Sequence, residues 1–320
     1  MYVKQHHRIT MATATENASE MNKQVYARTY ANENLTANRS TERKMSNKAK
    51  SIVVNSVIAP YLTEENFIAE FLSGRGQDIM KWSKVFDLTN TWQQEIEGLQ
   101  GKNRIKWIGL DFSENGIEIC RERIEECGLQ DYFKTYQFDV LENKLGEKLP
   151  MALQNRKSIA SLSLGPQYGF ESKDKFDTLC ENIKRANPAL IFFTYPSPQV
   201  IKSGRNKFFK LDKPDRLIAQ ITNLEINPDS PYNNKYQYYQ NSTCVNSKIQ
   251  EYLVDEPTLF GAFPGYSVVF NKNHREILPE DIPEWSTVGL YKSVVLVKDS
   301  EEVEEEFEEG FEKLNVKDTE

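Results

Sequence analysis

The chain of 320 residues has little cysteine and histidine and no long apolar run. Its four cysteines lie far apart, at Cys120, Cys127, Cys180 and Cys244. They form no CxxC pair, which argues against both a disulfide framework and a zinc site. The densest apolar stretch, 189–193, is far shorter than the roughly 20 residues that a membrane helix needs. The first seven residues have no apolar centre, so we expect no secretory signal. From the short apolar stretch and the cysteine spacing we also expect no membrane partner and no metal.

Histidine is also missing where acid–base chemistry would need it. His6 and His7 fall in a polar leader, and His274 is expected in a polar loop. The sequence shows no Ser-His-Asp pattern and no cysteine with a catalytic partner. We therefore expect no catalytic acid or base, and a reaction that depends on the positioning of reactants.

The charge of the chain is unevenly distributed. The formal net charge is −7, and residues 301–320 alone carry −8, so the preceding 300 residues are close to neutral. Residues 1–44 are polar with no sustained apolar period, which predicts a disordered leader. We divide the chain into this leader, a folded domain at 45–298 and an acidic tail at 299–320.

Apolar segments and helical patterns alternate through the folded part. Strands are predicted near 67–72, 105–111, 132–140, 158–164 and 189–194, with helical segments between them. Residues 266–271 and 291–297 look like later strands of the same sheet. This alternation predicts an α/β fold with a doubly wound sheet, in which ligands gather at the carboxyl ends of the strands. Pro, Asn and Tyr dominate 212–243, and the tyrosine cluster at 232–239 within it is interpreted as a surface loop or hairpin.

Three features at strand ends point to a cofactor that contains a nucleoside. The turn Gly74-Arg75-Gly76 lets the backbone approach a ligand closely. Asp111 ends the next strand, where an acid can accept from both ribose hydroxyls, and Asp139 follows the strand after that. The full GxGxxG fingerprint is absent, which favours S-adenosylmethionine over a nicotinamide cofactor.

Seven segments resemble, in the same order, the motifs of eukaryotic and viral mRNA cap (guanine-N7) methyltransferases. The most specific is Ser73-Gly-Arg-Gly-Gln-Asp-Ile-Met-Lys-Trp82, which is similar to the signature GKGGDLxKW. The others lie at 47–51, 108–113, 167–172, 193–196, 250–254 and 288–291. The resemblance implies a class I methyltransferase-like doubly wound sheet, mostly parallel with an antiparallel C-terminal strand. It also implies methyl transfer from S-adenosylmethionine to guanine N7 of the 5′ GpppN cap.

The resemblance further implies two groups of binding residues. Those for S-adenosylmethionine are Lys50, Gly74, Gly76, Asp78, Asp111 and Asp139. Those for the cap are Arg75 and Arg123 at the phosphates, with Gln167, Tyr168, Glu251 and Tyr291 at the guanine. A carboxylate there could accept from the guanine ring NH and amino group together, which distinguishes guanine from adenine.

Several positions depart from the motifs. Leu72 stands where the family has the first glycine of its turn, Glu70 replaces an aspartate, and Gln167 replaces a histidine. These departures leave open a second interpretation, a catalytically inactive methyltransferase-fold subunit that binds RNA or stimulates a capping partner. A small-molecule methyltransferase, or one acting on another RNA, is a third.

Capped RNA is the expected partner. The chain contains no triphosphatase or guanylyltransferase motif, so those enzymes, or RNA polymerase, are possible protein partners. The expected compartment is the nucleus, or the cytoplasm if the protein belongs to a virus or a cytoplasmic element.

Overall fold

The computed structural model describes residues 41–63, 65–86, 105–146, 157–204, 206–209, 217–240, 248–284 and 286–299. Most of the predicted leader and all but the first residue of the predicted acidic tail lie outside these ranges. Within these ranges, no helix is both apolar enough and long enough to cross a membrane.

Eleven strands and eight α-helices make up the described part of the chain. The strands are β1 (Phe67–Phe71), β2 (Trp107–Asp111), β3 (Phe133–Gln137), β4 (Ser158–Ser163), β5 (Pro188–Pro196), β6 (Lys207–Phe209), β7 (Leu217–Glu225), β8 (Lys235–Gln240), β9 (Ile249–Tyr252), β10 (Tyr266–Asn273) and β11 (Tyr291–Lys298). The helices are α1 (Thr41–Val53), α2 (Ile79–Val85), α3 (Glu114–Glu126), α4 (Pro166–Gly169), α5 (Lys173–Arg185), α6 (Pro198–Lys202), α7 (Glu256–Gly261) and α8 (His274–Ile277).

Seven strands form the main sheet, in the order β10-β11-β5-β4-β1-β2-β3. The strands from β1 to β5 pair in parallel, whereas β11 is antiparallel to both β5 and β10. The predicted fold class, a mostly parallel α/β sheet with an antiparallel C-terminal strand, is confirmed. Strand β5 lies inside the sheet, as its apolar sequence indicates.

Helices cover both faces of this sheet because side chains along each strand alternate between the faces. Phe67, Ala69 and Phe71 join the apolar cluster that includes α5 residues. Ile68, between them, belongs to a second cluster that includes residues of α1, α2 and α3. Helix α1 begins at Thr41, four residues before the predicted start of the domain, and continues into a π-helical turn, Val54–Ile58.

A second, antiparallel sheet follows the order β6-β7-β8-β9. The sequence analysis did not predict a sheet here, although β7 and β8 do pair as a hairpin would. Strand β8 alternates between buried and half-buried residues, with Tyr236 and Tyr238 buried. A period of two is typical of a half-buried strand, so the signal was present in the sequence Lys-Tyr-Gln-Tyr-Tyr-Gln.

The parallel strands place several elements at one edge of the main sheet. β1 lies between β4 and β2, so the chain order changes direction between β1 and β4, the position at which open α/β sheets bind ligands. Tyr291 pairs with Pro196, so the antiparallel strand β11 begins at the edge where β5 ends. The carboxyl edge therefore gathers the ends of β1 to β5 and the start of β11.

Leu72 directly follows β1 and has a left-handed backbone, with φ of 58°. This conformation costs a leucine roughly 1–2 kcal/mol. Its side chain turns toward β4: a Cβ placed on Gly165 would lie 2.5 Å from Leu72 Cδ1 and 3.2 Å from Leu72 Cβ. The space that a side chain at 165 would need is thus filled by Leu72, at the point where the strand order changes direction.

We predict that Gly165→Ala destabilises the fold through this contact. Gly165 has φ of −125°, which alanine adopts freely, so the cost arises from overpacking and is about 1–3 kcal/mol. In a Leu72→Gly background the same substitution should cost much less, because the obstructing methyl group is gone. Urea unfolding of the four chains measures this coupling.

The matched control is Gly261→Ala, because a Cβ placed at this exposed position meets no atom within 4 Å apart from its chain neighbours and the backbone of its own helix. Equal costs of Gly165→Ala in both backgrounds would show that the Leu72 side chain lies elsewhere.

Candidate functional site

The glycine turn after β1 carries a buried cluster of charged side chains. Lys50 of α1 donates to both carboxylate oxygens of Asp78, with Nζ–oxygen distances of 3.1 and 2.9 Å. Lys81 of α2 also pairs with Asp78. Asp78 is the residue before α2, so the turn and the N-terminal helix meet at this carboxylate.

The charges in this cluster change one another's pKa. Burial would raise the pKa of Asp78, but the two ammonium groups outweigh burial and hold it well below its usual range. Burial lowers the pKa of Lys50, while Asp78 acts in the opposite direction. Asp78 is therefore an ionised acceptor held between two cations at neutral pH.

Glu70, on β1, faces this cluster from inside the protein. Its Oε2 accepts from Trp82 Nε1 at 3.1 Å and from Trp107 Nε1 at 2.8 Å. Burial, reinforced by the negative charge of Asp78, raises the pKa of Glu70 to about 8. The two tryptophans therefore do more than pack in the core, because they bind the acid that precedes the glycine turn.

Asp111 ties the glycine turn to the end of β2. Its Oδ2 accepts from the Gly74 amide at 2.8 Å, and its Oδ1 accepts from the Ser113 amide at 2.9 Å. Asp139 accepts from the Leu141 amide at 3.0 Å. Burial raises the pKa of Asp111 to about 6, with the negative charge of Asp139 adding to the shift and the two amide bonds opposing it. A carboxylate oxygen has two lone pairs, so each Asp111 oxygen can accept a second hydrogen bond from a ligand.

The two arginines expected at the cap phosphates lie together beside the glycine turn. Arg123 of α3 donates through Nη1 to the carbonyl oxygen of Arg75 at 2.9 Å. Arg75 is only 4% exposed, so a phosphate could reach its guanidinium only after a local movement.

Of the four residues expected at the guanine, Gln167 donates through Nε2 to the Leu164 carbonyl oxygen at 3.0 Å, and the other three belong to two hydroxyl-linked groups. Glu251 of β9 accepts from Tyr168 at 3.2 Å through Oε1 and from Tyr236 at 2.7 Å through Oε2. Burial raises the pKa of Glu251 to about 7, and hydrogen bonds from Tyr236 and Gln167 oppose that shift. Gln167 and Tyr168 lie on α4, shortly after the end of β4. Because Tyr168 bonds to Glu251, this glutamate of the second sheet lies at the carboxyl edge of the main sheet.

Tyr291, the fourth of these residues, shares a hydroxyl–hydroxyl hydrogen bond of 3.0 Å with Tyr238. Sequence reasoning missed both Tyr236 and Tyr238, because their segment was interpreted as a surface loop or hairpin. The signal that could have found them is the alternation along β8, which directs both tyrosines to one face.

The expectation that His274 lies in a polar loop is wrong. His274 is the first residue of α8 and is buried, with its Nε2 3.0 Å from Ser293 Oγ. Burial, together with the positive charge of Lys50, lowers its pKa to about 3. It is therefore neutral at pH 7 and serves the packing of α8 on β11. In the described part of the chain, no three His, Cys, Asp or Glu side chains cluster as metal ligands would.

A charged cluster at the ends of β1 to β3, beside a carboxylate and tyrosine group near β4 and β11, forms a candidate two-part site on a doubly wound sheet. The family of mRNA (guanine-N(7))-methyltransferase domains matches this chain over residues 10–314. The match covers most of the sequence, and the chain belongs to this family.

The mRNA cap guanine-N(7) methyltransferase of Schizosaccharomyces pombe is 24% identical over 252 residues, which are 75% of this chain and 63% of that protein. The chain thus spans less than two thirds of that relative.

Among solved structures, an S-adenosylmethionine-dependent methyltransferase from Clostridium acetobutylicum ATCC 824 has a TM-score of 0.48 at 9% identity. The match covers 79% of this chain and 92% of that protein's chain. The PH0226 protein from Pyrococcus horikoshii OT3 has a TM-score of 0.45 at 7% identity, covering 81% and 94%. Likenesses this distant say nothing about substrate or chemistry.

We predict that Glu70→Gln makes stability less dependent on pH. Folded Glu70 keeps its proton up to about pH 8, whereas the unfolded chain releases it near 4.5, so stability falls as pH rises through this window. A glutamine carbonyl can accept both indole NH groups without ever becoming charged. Thermal unfolding between pH 5 and 9 should show a flatter curve and a higher Tm near pH 9 for the variant.

Glu118→Gln, an exposed change on α3, is the control and should leave the wild-type curve unchanged. A Glu70→Gln curve that follows the control would mean that Glu70 is already ionised in the folded protein.

Proposed function

We propose that this protein transfers a methyl group from S-adenosylmethionine to guanine N7 of the GpppN cap of mRNA. Family membership supports the proposal. The observation that carries it is the division of the carboxyl edge. Asp78, Asp111 and Asp139 lie at or after the ends of β1, β2 and β3, whereas Glu251 of β9 is bonded to Tyr168 in the helix that follows β4. A donor and an acceptor bound in these halves would meet at the boundary between β1 and β4.

The residues of the first half suit S-adenosylmethionine chemically. We propose that Lys50 binds its carboxylate and Asp78 its ammonium group, with the Gly74 to Gly76 turn beside them. Asp111 would accept from the ribose hydroxyls and Asp139 from the adenine amino group. Because Lys50 and Asp78 already bond to each other, a bound amino acid would share these partners rather than meet free charges.

The second half suits guanine. We propose that Glu251 accepts from the guanine ring NH and amino group, and that Gln167, Tyr168 and Tyr291 surround the base. Arg75 and Arg123 would bind the phosphates, Arg75 after the movement that its burial requires. An aromatic side chain stacked on the base contributes about 1–3 kcal/mol.

This arrangement fits a reaction that needs no general base. Guanine N7 has a free lone pair, and S-adenosylmethionine when bound supplies a methyl group on a positively charged sulfur. The protein holds the two in line, a contribution of up to about 7–11 kcal/mol in favourable cases. The neutral, buried His274 agrees with this account, because a pKa lowered to about 3 makes its imidazole a poor base at pH 7.

The finer context is also proposed. The substrate is RNA already capped by other proteins that supply the triphosphatase and guanylyltransferase activities, and RNA polymerase is a further possible partner. We propose that the catalytic domain spans about 45–298. The compartment is expected to be the nucleus, or the cytoplasm for a viral or cytoplasmic enzyme.

We predict that S-adenosylmethionine binding strengthens as pH rises from 5 to 7. Ionised Asp111 accepts from ribose hydroxyls better than the protonated acid, and its pKa is about 6. Asp111→Asn should weaken binding at least tenfold, because an amide offers only one acceptor oxygen, and it should remove most of this pH dependence, because an amide does not titrate between pH 5 and 7. Calorimetry with S-adenosylmethionine and S-adenosylhomocysteine measures both effects.

Glu114→Gln, three residues further on and exposed, is the matched control. A folded wild-type chain that binds neither compound would contradict the enzyme proposal and favour the inactive-subunit alternative.

We also predict that methyl transfer is selective for the guanine cap. RNA that begins with GpppA should accept a radiolabelled methyl group, while ApppA-capped RNA should not, because adenine lacks the two donors that a carboxylate reads. Nuclease digestion and chromatography locate the label on N7. Labelling of both RNAs, or of an internal base, would contradict the proposed substrate.

A further inference from the structure

Glu251 is held by two hydroxyl groups that differ in their surroundings. Tyr236 is its cross-strand partner on β8, is 1% exposed and belongs to the apolar cluster of the second sheet. Tyr168 lies on the short helix α4 and is half-buried. The Tyr236 bond is also the shorter one, 2.7 Å against 3.2 Å.

This asymmetry assigns different tasks to the two carboxylate oxygens. Oε2 is anchored to a side chain that is fixed by strand pairing and core packing. Oε1 is bonded to a tyrosine on the outer side, which a ligand can displace. A carboxylate with one anchored oxygen cannot rotate freely about its last torsion, so its remaining lone pairs keep a fixed direction.

Strand β8 supports the second predicted guanine contact in the same way. Tyr238, two residues after Tyr236 and on the same face, bonds through its hydroxyl to that of Tyr291. Tyr236 and Tyr238, at successive inward positions of β8, thus bond to Glu251 and to Tyr291. We propose that β8 is the support of the acceptor pocket and that Tyr236 is a positioning residue, which orients Glu251 for recognition of the guanine ring.

The inference rests on the proposed function and concerns how the same site achieves selectivity. It is supported by the electrostatics of the group. Burial favours the neutral acid, which could not accept two hydrogen bonds from guanine through both oxygens. The groups that oppose this effect are the Tyr236 hydroxyl and the Gln167 amide, with Tyr168 as a further donor to Oε1. Tyr236 therefore affects both the orientation and the ionisation of Glu251.

The test is Tyr236→Phe, which keeps the aromatic ring and removes only the hydroxyl. We expect KM for GpppA-capped RNA to rise about tenfold at pH 7, the effect of one hydrogen bond to a charged group, with KM for S-adenosylmethionine nearly unchanged. The acid limb of kcat/KM for the capped RNA should move to higher pH by about one unit. The defect should shrink toward pH 9, where Glu251 is ionised in both proteins.

Tyr252→Phe is the matched control. Tyr252 is also 1% exposed and lies next to Glu251 on β9, but its hydroxyl accepts from Gln250 Nε2 instead. It should reproduce the wild-type pH profile. A Tyr236→Phe profile that coincides with this control, in an enzyme that methylates caps normally, would overturn the inference while leaving the proposed function intact.

Glu251→Gln provides a second test that does not depend on the folding of Tyr236→Phe. It keeps an acceptor for Tyr236 but cannot ionise, so binding of GpppA should weaken and lose its pH dependence between 6 and 8. Retention of the wild-type profile in this variant would also overturn the inference. A folded wild-type chain that methylates neither capped RNA nor GTP would overturn the proposed function, and the inference with it.

Discussion

The hydrogen bond from the Gly74 amide to Asp111 is the contact on which the first half of the site depends. It fixes the turn after β1 against the end of β2, and the same carboxylate caps the backbone that leads into α3. Once the turn is fixed, Asp78 lies at the start of α2, where Lys50 from the N-terminal helix can reach it. One side chain thus organises two strand ends and, through the turn, the attachment of α1.

The two halves of the edge differ in their electrostatics. In the first half, Asp78 lies between two ammonium groups, and Asp111 is partly protonated near pH 6. The second half holds a single carboxylate among neutral hydroxyl groups. In the low-dielectric interior this contrast is strong. A zwitterionic amino acid is suited to the first environment, and a planar neutral base with paired NH donors is suited to the second.

Sequence reasoning could predict the parts of the site that depend on local order. Strand ends, the glycine turn and the acids at 111 and 139 follow from residue patterns that span a few positions, whereas Asp78 was expected only from the family resemblance. The burial of Arg75 and of His274 could not be predicted, because each depends on helices packed from distant parts of the chain. The second sheet is an intermediate case, since the alternation along β8 was visible but its partner strands were not.

Leu72 and Gly165 illustrate how a departure from a motif can be accommodated. The side chain of Leu72 is directed toward β4, where the facing residue, Gly165, has none. The two positions therefore share one volume, and a sequence change at either is constrained by the other. Among relatives, a glycine at the position of Leu72 should accompany a larger residue opposite it. The left-handed backbone of Leu72 and the missing side chain of Gly165 are therefore one feature of this turn and not two.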